Sequence, residues 1–406
     1  MFTAPIVLPS SETTARQARC RTLLTELSPE AGGLLVCSRL GIYYLTGALA
    51  PGLFWLPAEG EPLLLVRKGL DRARLESPQT RAVPFRSYGD LPGLAAEAGA
   101  PLPPAVAVEM GGLNWSMGLS LTKNLGASRP VAGDRILQEA RSVKSAYELE
   151  IMRRAGAAHR KAVCEVLPQR IRPGMSELDI AHRAWEVFFS LGHCGLMRMA
   201  ALGEEGFLGH VAAGENGNYP SYYNGPLGLL GLHPAAPFMG NAEAIWRKGT
   251  PLALDLGFCL EGMNTDKTQL FFAGSPKDLP AEAARAQAVC EEIEARTAEA
   301  LRPGAIPAEL YALSLDIAAK AGFAEGFMGL NGNRVAFLGH SIGLNVDERP
   351  VLAKGFNTPL KAGMTLAIEP KIGLPGFGMV GTENTWEITD SAPRCLTGPD
   401  STIFLE

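Results

Sequence analysis

The chain has 406 residues, 47% of them hydrophobic and 19% charged, with a net charge of −5. At about 100–200 residues per domain this length points to two domains, and the composition excludes a disordered chain. The mild negative balance excludes a basic nucleic-acid groove and a polybasic membrane patch, and no window approaches the ~18 apolar residues of a membrane span.

The seven cysteines are scattered and form no CxxC pair, which argues against a disulfide framework or a thiolate metal site and fits a reducing compartment. Met1 to Ser10 lack the basic start and continuous apolar stretch of a secretory signal, so a cytoplasmic protein is expected.

In chain order, residues 13–28 repeat apolar positions at helical spacing. Short β-rich runs follow at 33–38 (GLLVCS), 42–47 (IYYLTG), 62–67 (PLLLVR), 82–86 (AVPFR) and 105–110 (AVAVEM), with helical stretches near 68–76 and 116–125. This pattern predicts a small α/β domain over residues 1–140. A charged helical segment then opens a second domain, 141–406. There a helix over 145–168, the turn Arg172-Pro173-Gly174 and a helix capped by Ser176 are echoed by a helix over 279–300, the turn Arg302-Pro303-Gly304 and a helix from Pro307. Each copy precedes a strand-rich stretch, so the second domain reads as two related halves, each a helix pair plus strands. The whole is of mixed α/β (α+β) class. Residues 213–240, rich in Gly, Pro, Asn and Tyr, lack periodicity, and so long a stretch in a compact domain lines or covers a site.

Two familiar motifs are decoys. Gly376-Phe-Gly378-Met-Val-Gly381 matches GxGxxG, but no helix start follows it, so its glycines belong to a turn between strands. Gly339-His-Ser341-Ile-Gly343 matches GxSxG, yet His340 is the last histidine in the chain, and an α/β-hydrolase triad needs one after its serine.

The chemistry lies in acids embedded in apolar strands. Asp255 interrupts LALDLG, and an ionised carboxylate in such a run is costly unless something positive holds it. Asp266, in NTDKTQLFF, follows across a predicted hairpin at Glu261-Gly262, which could bring both acids to one face. Glu369 ends TLAIEP, Glu383 lies in GTENTWEIT, and His340 stands between the pairs. Four acids and one histidine form a hard, oxygen-rich set that suits two divalent ions about 3.5–4 Å apart.

At LDLG, TDKT, GHSIGL, AIEP and TENT the chain resembles the pita-bread metallopeptidases, the family of methionine aminopeptidase, aminopeptidase P, prolidase and creatinase, over residues 141 to 395. The N-terminal domain resembles the creatinase-type domain that accompanies the fold in aminopeptidase P, prolidase and creatinase. The resemblance implies a pita-bread domain with pseudo-twofold halves, and an aminopeptidase or dipeptidase of the Xaa-Pro type, as a homodimer. It makes Asp266 and Glu383 bridging ligands of two divalent ions, with His340 and Glu369 completing one site and Asp255 the other. A hydroxide between the ions would attack the scissile carbonyl, and Glu369 would pass a proton to the leaving amine. Manganese or cobalt are the expected metals, with zinc or iron as alternatives.

The chain also departs from that family. Ser221 stands where a histidine ends a G-x-N-x-x-x-P-H segment, Asp347 where a second histidine follows the metal histidine, and Gly381 where proline-specific members tend to have arginine. Those histidines would bind the substrate amide and its oxyanion, and an ionised Asp347 can only accept. His210, Tyr222 and Tyr223 are candidates to take over. The departures leave two other readings open: a hydrolase or lyase acting on a small non-peptide substrate, and a metal-stabilised binding protein without catalysis. A metal-free creatinase-like reaction is not expected, because creatinase works through the histidine that is Ser221 here.

Overall fold

The computed structural model describes residues 3–4, 6–200, 205–398 and 401–406. The chain divides into two compact units, Met1–Arg141 and Ser142–Glu406. The first comprises α1 (Ser10–Leu27), β1 (Gly33–Val36), α2 (Arg39–Thr46), β2 (Gly52–Pro57), β3 (Leu63–Val66), α3 (Leu70–Glu76), β4 (Arg81–Pro84), α4 (Leu91–Glu97), β5 (Ala105–Val108), α5 (Trp115–Asn124) and β6 (Arg129–Ala132), and α6 (Asp134–Ser142) leads into the second unit. Its six strands form one mixed sheet in the order β4-β3-β2-β1-β5-β6. Strands β1 and β5, buried at every position, read in the sequence as continuous apolar runs.

One expectation in this unit fails. IYYLTG at 42–47 is not a strand; it forms most of α2 and the glycine that ends it. Its aromatic and β-branched residues favour a strand, but Ser38 accepts a hydrogen bond from the Gly41 N–H and caps the first turn, while Gly47, at φ +87°, closes the last. The apolar side chains at Ile42, Tyr44 and Leu45 then fall on the buried face. The strand in this stretch is β2, ten residues further on, which pairs antiparallel with both β1 and β3.

The second unit has two halves of like construction. In one, α7 (Ala146–Arg160) and α8 (Glu177–Ser190) accompany a short pair, β7 (Met197–Arg198) and β8 (Glu205–Gly206), and then β9 (Gly209–Ala213), β10 (Pro251–Leu260) and β11 (Met263–Ala273). In the other, α9 (Ala281–Ala300) and α10 (Pro307–Lys320) accompany β12 (Phe337–Ser341), β13 (Glu348–Ala353), β14 (Thr365–Ile368), the hairpin β15 (Lys371–Leu374) and β16 (Gly378–Gly381), β17 (Glu383–Glu387), β18 (Arg394–Cys395) and β19 (Ile403–Leu405). The central sheet runs β13-β12-β14-β17-β11-β10-β9, antiparallel throughout, with β18 on β17 and β19 parallel to β11. Each half has its own apolar core, one built on Ile180, Ala184, Phe188, Leu254 and Phe258, the other on Ala286, Ile293, Leu310, Leu338 and Ile368. The β11–β17 pair, Lys267 opposite Asn384 and Thr268 opposite Glu383, is where the halves join, and so where acids from both can meet.

The predicted helix starts hold. Ser176 and Asp179 form a reciprocal capping box at α8, and Pro307 opens α10. The GxGxxG segment is the β15–β16 hairpin. In the GxSxG segment Ser341 is fully buried at the end of β12 and accepts a hydrogen bond from Lys144 Nζ at 3.1 Å, the arrangement of a structural hydroxyl. The aperiodic stretch from 213 is anchored by the buried carboxylate of Glu177, which accepts from the Ala213 N–H, Asn216 Nδ2 and the Asn241 N–H.

Two histidines belong to the core of the first half. His159 is completely buried against Phe188 and Phe258, with Nδ1 3.1 Å from Thr265 Oγ1. His193 accepts the Cys259 N–H at Nδ1, and burial lowers its pKa from 6.5 to about 4. A histidine whose folded pKa is depressed contributes stability above its unfolded pKa and loses it as pH falls toward the folded value. Unfolding free energy should therefore drop between pH 6.5 and about 4 by up to ~1.4 kcal/mol per pH unit from His193. Urea titrations of wild type and His193→Gln across this range check it: the gap between the two curves should narrow as pH falls, and a gap independent of pH would contradict it.

Candidate active site

The acids expected to act together do meet. Asp255 on β10 lies opposite Thr268 and Asp266 on β11 opposite Gly257, so both carboxylates fall on one face of the hairpin. Glu383 opens β17 opposite Thr268, whose Oγ1 donates to Glu383 Oε2 at 2.8 Å. His340, on β12, and Glu369, just past the end of β14, come from the other half, with His340 Nε2 3.5 Å from Glu369 Oε1. His340 Nδ1 is 3.2 Å from the Ser341 carbonyl oxygen, which can only accept. The proton therefore sits on Nδ1 and the Nε2 lone pair faces the cluster, the tautomer a metal-binding imidazole needs.

Ligand atoms gather in two groups within 4.8 Å of one another: Asp266, His340 and Glu383, and Asp255, Glu369 and Glu383. Glu383 belongs to both. Hydrogen bonds between the strands support them: Thr385 Oγ1 joins the Asp266 main chain at both N and O, and the buried Lys267 donates Nζ to Asn384 Oδ1.

A residue that the sequence reading passed over stands inside this cluster. Lys371, the first residue of β15, has zero exposure, and its Nζ lies 2.9 Å from Glu383 Oε2, 3.0 Å from Glu369 Oε2 and 3.4 Å from Asp255 Oδ2. The neighbouring departure explains how it fits. Gly381 pairs with Lys371 across the hairpin at φ +149°, and a Cβ there would lie 2.7 Å from Lys371 Cα, 2.9 Å from its Cγ and 2.5 Å from the Pro370 carbonyl oxygen. No side chain is accommodated at 381, and the cation enters from 371 instead. The available signal was a lysine directly after AIEP, inside an apolar run.

The electrostatics follow from crowding. Asp266 is pushed well above the usual carboxylate range by burial, then by Asp255 and Glu369. Glu383 is raised by burial, then chiefly by Asp266. Burial would raise Asp255 too, but Lys371 and then His210 outweigh it and hold it below the usual range. For Lys371 burial acts to lower the pKa, and Asp255, Glu369 and Glu383 outweigh it, so the ammonium is held well above its ordinary value. Four carboxylates against one ammonium leave an excess of negative charge, and the raised Asp266 and Glu383 are where a divalent cation would relieve it. The Asp266, His340 and Glu383 group fits such an ion, with two hard oxygens and one imidazole.

The replacement candidates divide. His210, on β9, pairs with Asp255 across the sheet. Its ring packs against Tyr223 at 4.6 Å with the planes tilted by 56°, and burial holds its pKa low, Asp255 opposing and Lys371 adding to the effect. The side chain of Tyr222 is exposed. Ser221 is bound into its own loop: its N–H donates to Asn333 Oδ1 and its Oγ accepts from the Tyr223 N–H. Asp347 Oδ1 accepts the Ala200 N–H at 2.6 Å, so this carboxylate holds main chain where the family pattern leads one to expect a histidine.

The sequence profile of Metallopeptidase family M24 matches residues 150–390, which carry all five expected ligands, and that of the Creatinase/Prolidase N-terminal domain matches residues 16–143. The chain belongs to metallopeptidase family M24. Among its family M24 relatives, a protein named Probable dipeptidase PepE from Mycobacterium tuberculosis is 30% identical over 374 residues, 88% of each chain. The Xaa-Pro dipeptidase of Pyrococcus furiosus is 23% identical over 369 residues, covering 90% of this chain and 92% of that protein. The crystal structure of dipeptidase PepE from Mycobacterium ulcerans superposes with a TM-score of 0.78 at 25% identity, over 98% of this chain and 99% of the other. The pita-bread domain and creatinase-like N-terminal domain expected from the sequence are thus those of this M24 enzyme. Among the described residues, no helix is long and apolar enough to cross a membrane.

Proposed function

We propose that this family M24 enzyme is a metal-dependent dipeptidase or aminopeptidase of the Xaa-Pro type. The observation that carries the reading is the convergence of Asp266, His340 and Glu383 from both halves of the sheet into a group that fits a divalent ion. Dipeptidases among the relatives favour a peptide substrate over the small non-peptide and binding-only readings.

Asp266, His340 and Glu383 would hold the ion. When bound, it supplies Lewis-acid polarisation of the scissile carbonyl and activation of water at neutral pH. Glu369 is the proton carrier: Lys371 holds its Oε2 at 3.0 Å, leaving Oε1, beside His340, to take a proton from water and return it to the departing nitrogen. His210, neutral and with one N–H to give, is placed beside Asp255 to donate to the developing oxyanion, the task for which Ser221 and Asp347 lack a free imidazole. Manganese or cobalt as the ion, a homodimer and a cytoplasmic setting complete the proposal.

The test is a panel of Xaa-Pro dipeptides and longer Xaa-Pro peptides, offered to protein supplemented with manganese and to the same protein after chelation. Cleavage at the Xaa-Pro bond that disappears on chelation and returns with metal is expected. No cleavage of any member at any metal loading would overturn the proposal.

A further inference from the structure

Of the two ligand groups in this site, one already contains a cation that belongs to the chain. The Lys371 ammonium lies among Asp255, Glu369 and Glu383, within 2.9–3.4 Å of an oxygen from each, and these three are the complete second group. A divalent ion binds carboxylate oxygen at about 2.0–2.2 Å, so an ion centred on the same three oxygens would overlap the ammonium. The lysine has little freedom to leave. Its main-chain oxygen accepts the Met328 N–H, its strand is paired to Gly381, its stem passes close over that glycine, and the whole side chain is excluded from solvent.

Charge leads to the same place. Counted with all four carboxylates ionised and Lys371 as the ammonium, the formal charges of these groups sum to three negative. One divalent ion reduces this to a single negative charge. A second ion beside the ammonium would bring the sum to one positive charge before any bound hydroxide, and would set two cations side by side against the same oxygens of Asp255, Glu369 and Glu383.

We propose that Lys371 is a built-in replacement for the second cation, so that the site takes one divalent ion, at Asp266, His340 and Glu383. Lys371 is then a positioning residue: it keeps Asp255, Glu369 and Glu383 drawn together as the missing ion would, without offering a Lewis acid. Gly381 is the accommodation that lets it enter. This deepens the functional reading above and rests on it only in taking the cluster to be a metal centre.

The test is the metal stoichiometry of the full-length protein, stripped with chelator and titrated with manganese, read by elemental analysis and by electron paramagnetic resonance. Wild type should saturate at one equivalent and give the spectrum of an isolated ion. Lys371→Ala, which removes the ammonium and opens its place, should take up two equivalents and give the spectrum of an exchange-coupled pair. Two equivalents in wild type, or none, would overturn the inference, and this measurement needs no variant to fold. Lys371→Ala that folds, as judged by circular dichroism, and still binds one equivalent would also count against it. Hydrolysis of Xaa-Pro peptides is a separate readout. Two ions with hydrolysis would sink this inference and leave the functional reading standing, whereas one ion without hydrolysis would do the reverse.

Discussion

Exchange of His340 for alanine is expected to lower manganese affinity by more than 100-fold and to reduce peptide hydrolysis to background. Loss of an outer partner of a metal ligand typically costs about 10–100-fold in metal affinity, and His340 is placed as a ligand itself. It is the one nitrogen in the set, and its Nε2 is turned inward by the Nδ1 proton given to the Ser341 carbonyl. The remaining acids cannot compensate, because Asp266 and Glu383 are already crowded by other carboxylates and Lys371 is engaged with Asp255, Glu369 and Glu383. Circular dichroism on the variant separates this loss from unfolding, since the imidazole is largely buried beside Glu369 and Phe337. Isothermal titration with manganese and a peptide assay check this. Unchanged metal affinity would remove His340 from the metal group.

Glu369→Gln should have a different signature. If Glu369 carries the proton while Asp266, His340 and Glu383 hold the ion, the variant should keep its metal content and lose kcat by about 10²–10⁴-fold, the usual worth of a positioned acid–base group. KM should move much less, because binding does not depend on the proton transfer. Glutamine retains an oxygen that can accept from Lys371 Nζ, so the contact at 3.0 Å survives without its charge. Metal analysis and steady-state kinetics on one preparation separate the two roles. A parallel loss of metal and activity would make Glu369 a ligand first, and would weaken the single-ion account with it.

The cluster of acids and His340 was legible because its chemistry contradicts its setting. An aspartate in LALDLG or a glutamate closing TLAIEP has no local reason to be there, and the strand pairings that unite them are long, regular and antiparallel. The duplicated architecture was legible for a related reason: Ser176 and Pro307 announce helix starts that local chemistry alone fixes. Lys371 was missed because a lysine directly after AIEP does not by itself show that it pairs with acids from both halves. Its partners Asp255 and Glu383 lie 116 and 12 residues away, and only the junction of the two halves brings them around it. The same distance effect hid the bond from Ala200 to Asp347, which ties together segments 147 residues apart. IYYLTG was misread because composition was weighed above the caps on either side of it, Ser38 and Gly47.

The three departures from the expected family pattern, at 221, 347 and 381, have a spatial account. Ser221 closes its own loop, Asp347 binds main chain, and Gly381 clears the path of a lysine. His210, which pairs with Asp255 across the sheet, packs against Tyr223.

The central claim is that one metal ion, held by Asp266, His340 and Glu383 and complemented by Lys371, supports peptide hydrolysis. It is tested most directly by adding manganese in steps to metal-stripped protein while following cleavage of an Xaa-Pro dipeptide. The account predicts no cleavage at the start, a linear rise, and a plateau at one equivalent. Full activity in the stripped protein, none at any loading, or a rise that continues to two equivalents would contradict it.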